Sequence, residues 1–410
     1  MTGSSHQRDP RAHTIQGTQV AWETARELFS LDPAVTYLNH GSFGAVPIPV
    51  QRAQQRLRDE MEANPMAFFT RGIVERLAHT RRHIAAFLGA DPDGTALIPN
   101  ATAGAQLALN AVDLHPGDEV LLTDHGYGAV RFAVDRLCAR TGATVSEVAV
   151  PLRATDDEIV ESLATAVRPG RTRFALVDHI TSPTAKLFPI ARIIAALHER
   201  GVAVAVDGAH APGMLPVEVA ALGADFWFGN LHKWAFAPRP TAVLVVAPEY
   251  RSRVDPLVVS WENDAGFPAA VEYGGTLDYT AWLAAPTGIH LLRTLDPARL
   301  RRNNADLAAY GQRTIAGTLG VARADLLGSD AVSMRIIPLP PGVAEDLAGV
   351  LTLRSRIAAD FSIEVAVSVW HNRGYLRVSG QIYNRPEDYD QLAAALPGLL
   401  RDVARPGGPA

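Results

Sequence analysis

Val202-Ala203-Val204-Ala205-Val206-Asp207-Gly208-Ala209-His210 is an apolar run that ends on one acid and breaks at once into a glycine-containing turn. A short uncharged run of this kind reads as a strand buried on both faces, as in parallel sheets covered by helices. Similar runs occur on either side of 202–206, at 95–99, 119–123, 144–150, 173–177, 224–228 and 242–246. Amphipathic stretches at 101–112, 129–140 and 190–200 lie between several of them. The alternation predicts an α/β fold: a large domain with a mostly parallel seven-stranded sheet flanked by helices. Ligands of such sheets gather beyond the carboxyl ends of the strands. Asn100, the Asp124-His125 pair, Asp207 and Asn230 all fall at such ends.

After about residue 290 the pattern changes. A helical stretch at 298–319 precedes a β-rich run at 332–339, a helix through 359, strands near 363–370 and 375–378, and a last helix after Pro386. This predicts a smaller α+β domain at 291–403, with the large domain at 48–290. Residues 18–47 are expected to pack on the small domain or at the mouth of the site. Residues 1–17 are polar and expected to be a disordered tail, as are 404–410.

Composition excludes several classes. The chain of 410 residues is 48% apolar and 20% charged with a net charge of −5, which suits a globular protein and not a nucleic-acid binder. Its one cysteine, Cys138, rules out an internal disulfide framework and sits at helical spacing with Val134 and Leu137, as core packing. No basic-then-apolar leader opens the chain and no run reaches membrane length, so a soluble, cytoplasmic protein is expected.

Of 38 basic residues only Lys186 and Lys233 are lysine. Arginine serves wherever charge alone is wanted, so a retained lysine marks a need for a primary amine, which can lose its proton and form an imine. Lys186 reads as a surface charge. Lys233, in Gly229-Asn230-Leu231-His232-Lys233-Trp234, follows an apolar run and shares the sheet end with Asp207. Lysine plus strand-end aspartate is what pyridoxal 5'-phosphate (PLP) requires: an amine for the aldehyde and a carboxylate that keeps the ring nitrogen protonated. His210 is placed to donate to the ring's phenolate oxygen. Asn100-Ala101-Thr102 opens a helix after a strand, offering free amides and a hydroxyl to a phosphate, with Asn230 and His232 as further contacts. In Asp124-His125-Gly126-Tyr127, His125 is expected to lie on the cofactor face, with Tyr127 as its substitute or as a proton donor. The same residues also allow ordinary helix capping, a non-catalytic binding module, or a metal hydrolase built on Asp207, His210, Asp225 and His232. No compact metal motif is present and the metal reading leaves Lys233 unexplained, so no metal is expected.

The Asp207 and Lys233 motifs, with Tyr37-Leu38-Asn39-His40-Gly41-Ser42-Phe43-Gly44, Asp124-His125-x-Tyr127 and Thr181-Ser182-Pro183-Thr184, closely resemble class V aminotransferase-fold enzymes of PLP fold type I. They look like the isopenicillin N epimerase-like branch, and the likeness runs from about Tyr37 to Asn384. It implies Lys233 as the imine-forming lysine, Asp207 at the ring nitrogen, His210 at the phenolate oxygen, and Asn100, Ala101, Thr102, Ser182, Asn230 and His232 around the cofactor. It also implies Arg377, in Tyr375-Leu376-Arg377-Val378-Ser379, as the fork for a substrate carboxylate, with Asn39 and His40 lining the substrate mouth. Thr276, in Tyr273-Gly274-Gly275-Thr276, is expected to cross to a partner's phosphate site in a homodimer.

The resemblance implies chemistry at Cα of an amino acid through an external aldimine and a quinonoid, epimerase-like, with C–S β-elimination, transamination or oxidative deamination as alternatives. Cysteine desulfurases of this fold carry a mobile cysteine before the C-terminal arginine strand. None stands near 368–374, so a persulfide mechanism is disfavoured. Phe68, Phe69, Trp261 and Trp370 are candidates for shaping the pocket.

Overall fold

The computed structural model describes residues 12–15 and 18–403; the tail expectations for 1–11, 16–17 and 404–410 lie outside the described residues. Within the N-terminal segment Ala12–Ile15 pairs antiparallel with Thr18–Ala21.

The main sheet has seven strands in the spatial order Thr95–Ile98, Ala242–Val246, Phe226–Asn230, Ala203–Asp207, Thr172–Asp178, Glu119–Thr123 and Thr144–Val148. Only Ala242–Val246 runs against its neighbours. Antiparallel neighbours need no crossover helix, so the chain turns back through residues 231–241, closed by a Leu231 N–H to Thr241 carbonyl bond of 3.0 Å. Lys233 therefore rides on a short loop at the carboxyl edge of the sheet.

Alternate residues of the strands feed two cores, as the two-residue period requires. Val204, Val206, Trp227 and Val243 pack against helices Ile73–Leu88, Ile190–His198 and Thr280–Thr294. Ala205, Phe226, Phe228 and Leu244 pack against Ala101–Asn110 and Gly128–Thr141. Cys138 is buried in the second core. Each large apolar side chain so buried contributes on the order of 1.5–3 kcal/mol.

A smaller unit follows. Helix Thr280–Thr294 runs through residue 290 and keeps Ala281, Ala285 and Ile289 in the first core, and helix Pro297–Thr318 follows it. Strands Met334–Pro338, Arg373–Ser379 and Ala366–Trp370 form an antiparallel sheet in that order, with core residues from helices Pro297–Thr318, Leu347–Phe361 and Pro386–Val403 behind it. The strand read at 363–370 is two pieces. Ile363–Glu364 pairs in parallel with Thr36–Tyr37, and beyond Val365 the chain changes partner to Arg373–Ser379. That parallel pair ties the N-terminal segment to the small unit, with Leu38 in its core.

Candidate active site

A cavity of about 330 Å³ opens at the carboxyl edge of the main sheet, among its lining Thr102, Tyr127, Asp178, Asp207, His210 and Lys233. Asn100, Ala101, Ser182, Asn230 and His232 complete the set expected there, joined by Ser42, Phe43 and Arg239.

Asp207 ends its strand buried, with Oδ1 accepting the Ala209 N–H at 2.9 Å. Burial raises its carboxyl above the usual range, against the pull of the Ala209 bond and the Lys233 charge. Lys233 is pushed down to about 7, first by burial and then by the Arg377 charge, against Asp207. A substantial share of its amine is therefore neutral near neutral pH, the form that attacks an aldehyde. Nζ lies 3.2 Å from His210 Nε2. The Trp234 indole, which can only donate, points Nε1 at His210 Nδ1 at 3.4 Å, so Nε2 carries the hydrogen and faces the lysine. Burial holds His210 neutral.

The helix start is built for an anion. Asn100 caps helix Ala101–Asn110 through the Ala103 N–H, at 2.9 Å, and Asn230 Oδ1 takes the Ala101 N–H, also at 2.9 Å. The Thr102 N–H and hydroxyl take no partner among the described residues, which leaves them for a phosphate at the positive end of the helix. His232 Nδ1 lies 2.8 Å from the Thr241 carbonyl, and burial lowers its pKa to about 4.

Arg377 is buried behind two cavity-lining serines. Nη1 donates to the Ser182 carbonyl and, at 3.2 Å, to Ser182 Oγ, while Nη2 donates to Ser42 Oγ at 3.2 Å. Nε has no partner, and no carboxylate pairs with this guanidinium among the described residues. Burial pushes it down to about 10. A buried cation without a counter-charge is a prepared seat for an anion.

Several expectations change. His125 is not at the cavity: Nε2 donates to the Val150 carbonyl and Nδ1 accepts from Thr184, both at 2.7 Å, and its face is stacked on Trp370. Tyr127, next along the loop, lines the cavity instead. His40 lies beneath the lysine, with Nε2 donating to the Lys233 carbonyl at 2.9 Å and Nδ1 accepting from Tyr383 at 2.9 Å. It positions the lysine and does not line the mouth. Asn39 stands behind Ser42, accepting its hydroxyl at 2.7 Å. Thr276 is exposed and away from this chain's own cavity.

Lys186 is no free surface charge, since its amine donates to the carbonyls of Leu152 and Ala154 at 3.0 and 2.8 Å. Phe68 is core, Phe69 packs on Tyr279, Trp370 covers His125 and Trp261 is 90% exposed, so none shapes the cavity. The four metal candidates do not converge, because Asp225 sits at the opposite end of the sheet holding His198 and the Val204 N–H.

The sequence reading missed Asp178, buried on the neighbouring strand in register with Asp207. Its signal was present: Leu176-Val177-Asp178 repeats the pattern of Ala205-Val206-Asp207, an apolar strand closing on an acid.

A buried acid, a neutral amine, a donor histidine and a free helix start fit PLP residue for residue, and the comparisons agree. Residues 37–392 match the model of the family Aminotransferase class-V, to which this chain belongs. It is 35% identical to isopenicillin N epimerase of Amycolatopsis lactamdurans, over 93% of this chain and 99% of that one. It is 31% identical to putative L-cysteine desulfhydrase 2 of Oryza sativa subsp. japonica, over 96% of this chain and 90% of that one. A cystine C–S lyase solved with its product cysteine persulfide shares the fold, with a TM-score of 0.74 at 20% identity, covering 88% of this chain and 96% of that one. The protein is a PLP enzyme of this family.

Proposed function

We propose that the enzyme acts at the α-carbon of an amino acid and inverts it, in the manner of an epimerase. The observation that carries the substrate class is Arg377, a buried guanidinium that no carboxylate among the described residues pairs with, behind the cavity that holds Lys233. A substrate carboxylate pairs with that fork and fixes which bond at Cα faces the lysine.

Bound PLP supplies an electron sink for the negative charge left at Cα. Asp207 provides the buried carboxylate for the ring nitrogen, and His210 Nε2–H a donor for the phenolate oxygen. Thr102, Asn230 and His232 stand where the phosphate is held. Lys233, whose pKa near 7 leaves a substantial neutral fraction at that pH, takes the proton from Cα. Tyr127 enters the cavity from a different element and provides a second proton-bearing group, which inversion requires and elimination does not. The similarity to isopenicillin N epimerases over nearly the whole chain supports the same choice.

β-Elimination from a cysteine conjugate is the second reading, favoured by the likeness to L-cysteine desulfhydrases. Product analysis separates the two. Chiral chromatography after incubation with single enantiomers gives the inverted amino acid for an epimerase, and pyruvate with free thiol for a lyase.

The reading includes a homodimer in which Thr276 reaches the partner's phosphate site. The exposed Leu257, Val258, Trp261 and Leu277 near this loop support it, since so much exposed apolar surface favours burial against a second copy. A cytoplasmic location is part of the same proposal, supported by a single, buried, unpaired cysteine. Among the described residues no helix is long and apolar enough to cross a membrane.

A further inference from the structure

Asp178 and Asp207 end adjacent parallel strands as register partners, so their side chains leave the sheet on the same face. Both line the catalytic cavity, and they are only 3% and 4% exposed. Asp207 has a backbone donor at Ala209 and the charge of Lys233 acting on it. Asp178 has neither: no side chain and no cation pairs with it among the described residues, and only its own backbone N–H reaches it. Two buried carboxylates side by side, with one partly charged lysine acting on Asp207 alone, do not both ionise readily; they favour holding one proton in common. Burial and the charge of Asp207 both raise Asp178, so the proton rests there.

We propose that Asp178 is a positioning residue that works as a neutral acid, its hydroxyl donating to the Asp207 carboxylate and holding it oriented and ionised for the ring nitrogen of PLP. The step transfers nothing. The hydrogen stays on Asp178 while Asp207 keeps the negative charge that the protonated nitrogen needs. The arrangement also explains why a second acid is tolerated here at no cost in net charge. A fully ionised Asp178 would add a negative charge with which no cation pairs among the described residues. The role is independent of which reaction the enzyme carries out at Cα.

The test uses the holoenzyme, the isosteric variant Asp178→Asn and the truncation Asp178→Ala. Difference infrared spectroscopy of wild type against Asp178→Asn should show the carbonyl stretch of a protonated carboxylic acid in the wild type and its loss in the variant. Asparagine keeps a donor and the same charge, so the dissociation constant for PLP should change by less than about threefold, with the visible band unmoved. Alanine removes the donor and should weaken PLP by about tenfold and shift the band. Absence of the acid band in wild type, its survival in Asp178→Asn, or equal PLP affinity in the two variants each overturns the proposal. The infrared arm stands even where the alanine variant folds poorly.

Discussion

His125 and Trp370 stack with ring centroids 4.9 Å apart and planes 25° from parallel, joining the large unit to the hairpin that carries Arg377. The same hairpin is held by Trp370 Nε1 donating to the Asp124 carbonyl at 3.1 Å, His371 Nε2 on Asp124 Oδ2 at 2.7 Å, and Ser368 donating to the Pro183 carbonyl at 2.9 Å. Its tip turns through His371 and Asn372, both at positive φ, so the two strands meet in a tight turn with no room for a mobile loop.

This joint separates two roles for His125. Replacing it with alanine removes two buried hydrogen bonds and a stacked face, and should lower stability by about 3 kcal/mol. Substrate KM should rise while PLP affinity stays within a few-fold of wild type. A ring lying on the cofactor predicts the reverse, a large loss of PLP affinity, so equilibrium dialysis of PLP decides between them.

Lys233→Ala should abolish the visible band that borohydride bleaches in wild type. In PLP-free wild type the reactive form of Lys233 is the free base, and its pKa is near 7. The sign follows: PLP capture is slow below pH 7, where the amine is protonated, and accelerates as pH rises through about 7 to a plateau. Stopped-flow rates of capture from pH 5.5 to 9 measure this midpoint; a midpoint near that of an ordinary lysine rejects the buried environment.

Arg377→Gln should lower kcat/KM for an amino-acid substrate by at least about a hundredfold, because a bidentate charge-assisted pair is lost. Thermal stability should hold or rise, since the variant no longer buries an uncompensated charge. Unfolding by calorimetry without substrate, beside steady-state kinetics, checks both arms. Lost activity with a large fall in melting temperature would make Arg377 structural.

His40→Ala should cost about 2–4 kcal/mol from the emptied volume and the orphaned Lys233 carbonyl and Tyr383 hydroxyl. Burial keeps His40 neutral with a pKa near 3, well below that of an unfolded imidazole, so the stability it contributes at pH 8 shrinks as pH falls through about 6.5 towards 5. Activity should fall through kcat, as the lysine loses its fixed backbone. Chemical denaturation at both pH values, with kinetics, tests it.

The sheet was legible because short apolar strands rich in small and β-branched residues leave few other structures available, and Asp207 and Lys233 were legible because a strand-end acid is followed by one of only two lysines in the chain. The places where the reading failed share a cause. Imidazoles next to motif residues look catalytic in one dimension, but His125 and His40 satisfy both ring nitrogens with partners such as Val150 and Tyr383, distant in the chain. Nothing local reports those bonds. Asp178 was overlooked because it ends its strand as Asp207 does, yet no lysine motif follows it to single it out; only the pairing of the two strands sets the acids side by side.

The clamp under Lys233 has a consequence for how the enzyme is made. The Lys233 carbonyl is gripped by His40, and His40 is held by Tyr383, so the lysine loop is braced by residues near both ends of the chain. A growing polypeptide that has already released the whole seven-stranded sheet from the ribosome still lacks Tyr383 and Arg377. Cofactor capture in the braced geometry therefore belongs to the finished chain, and a product truncated before Tyr383 keeps the sheet yet leaves its lysine unheld.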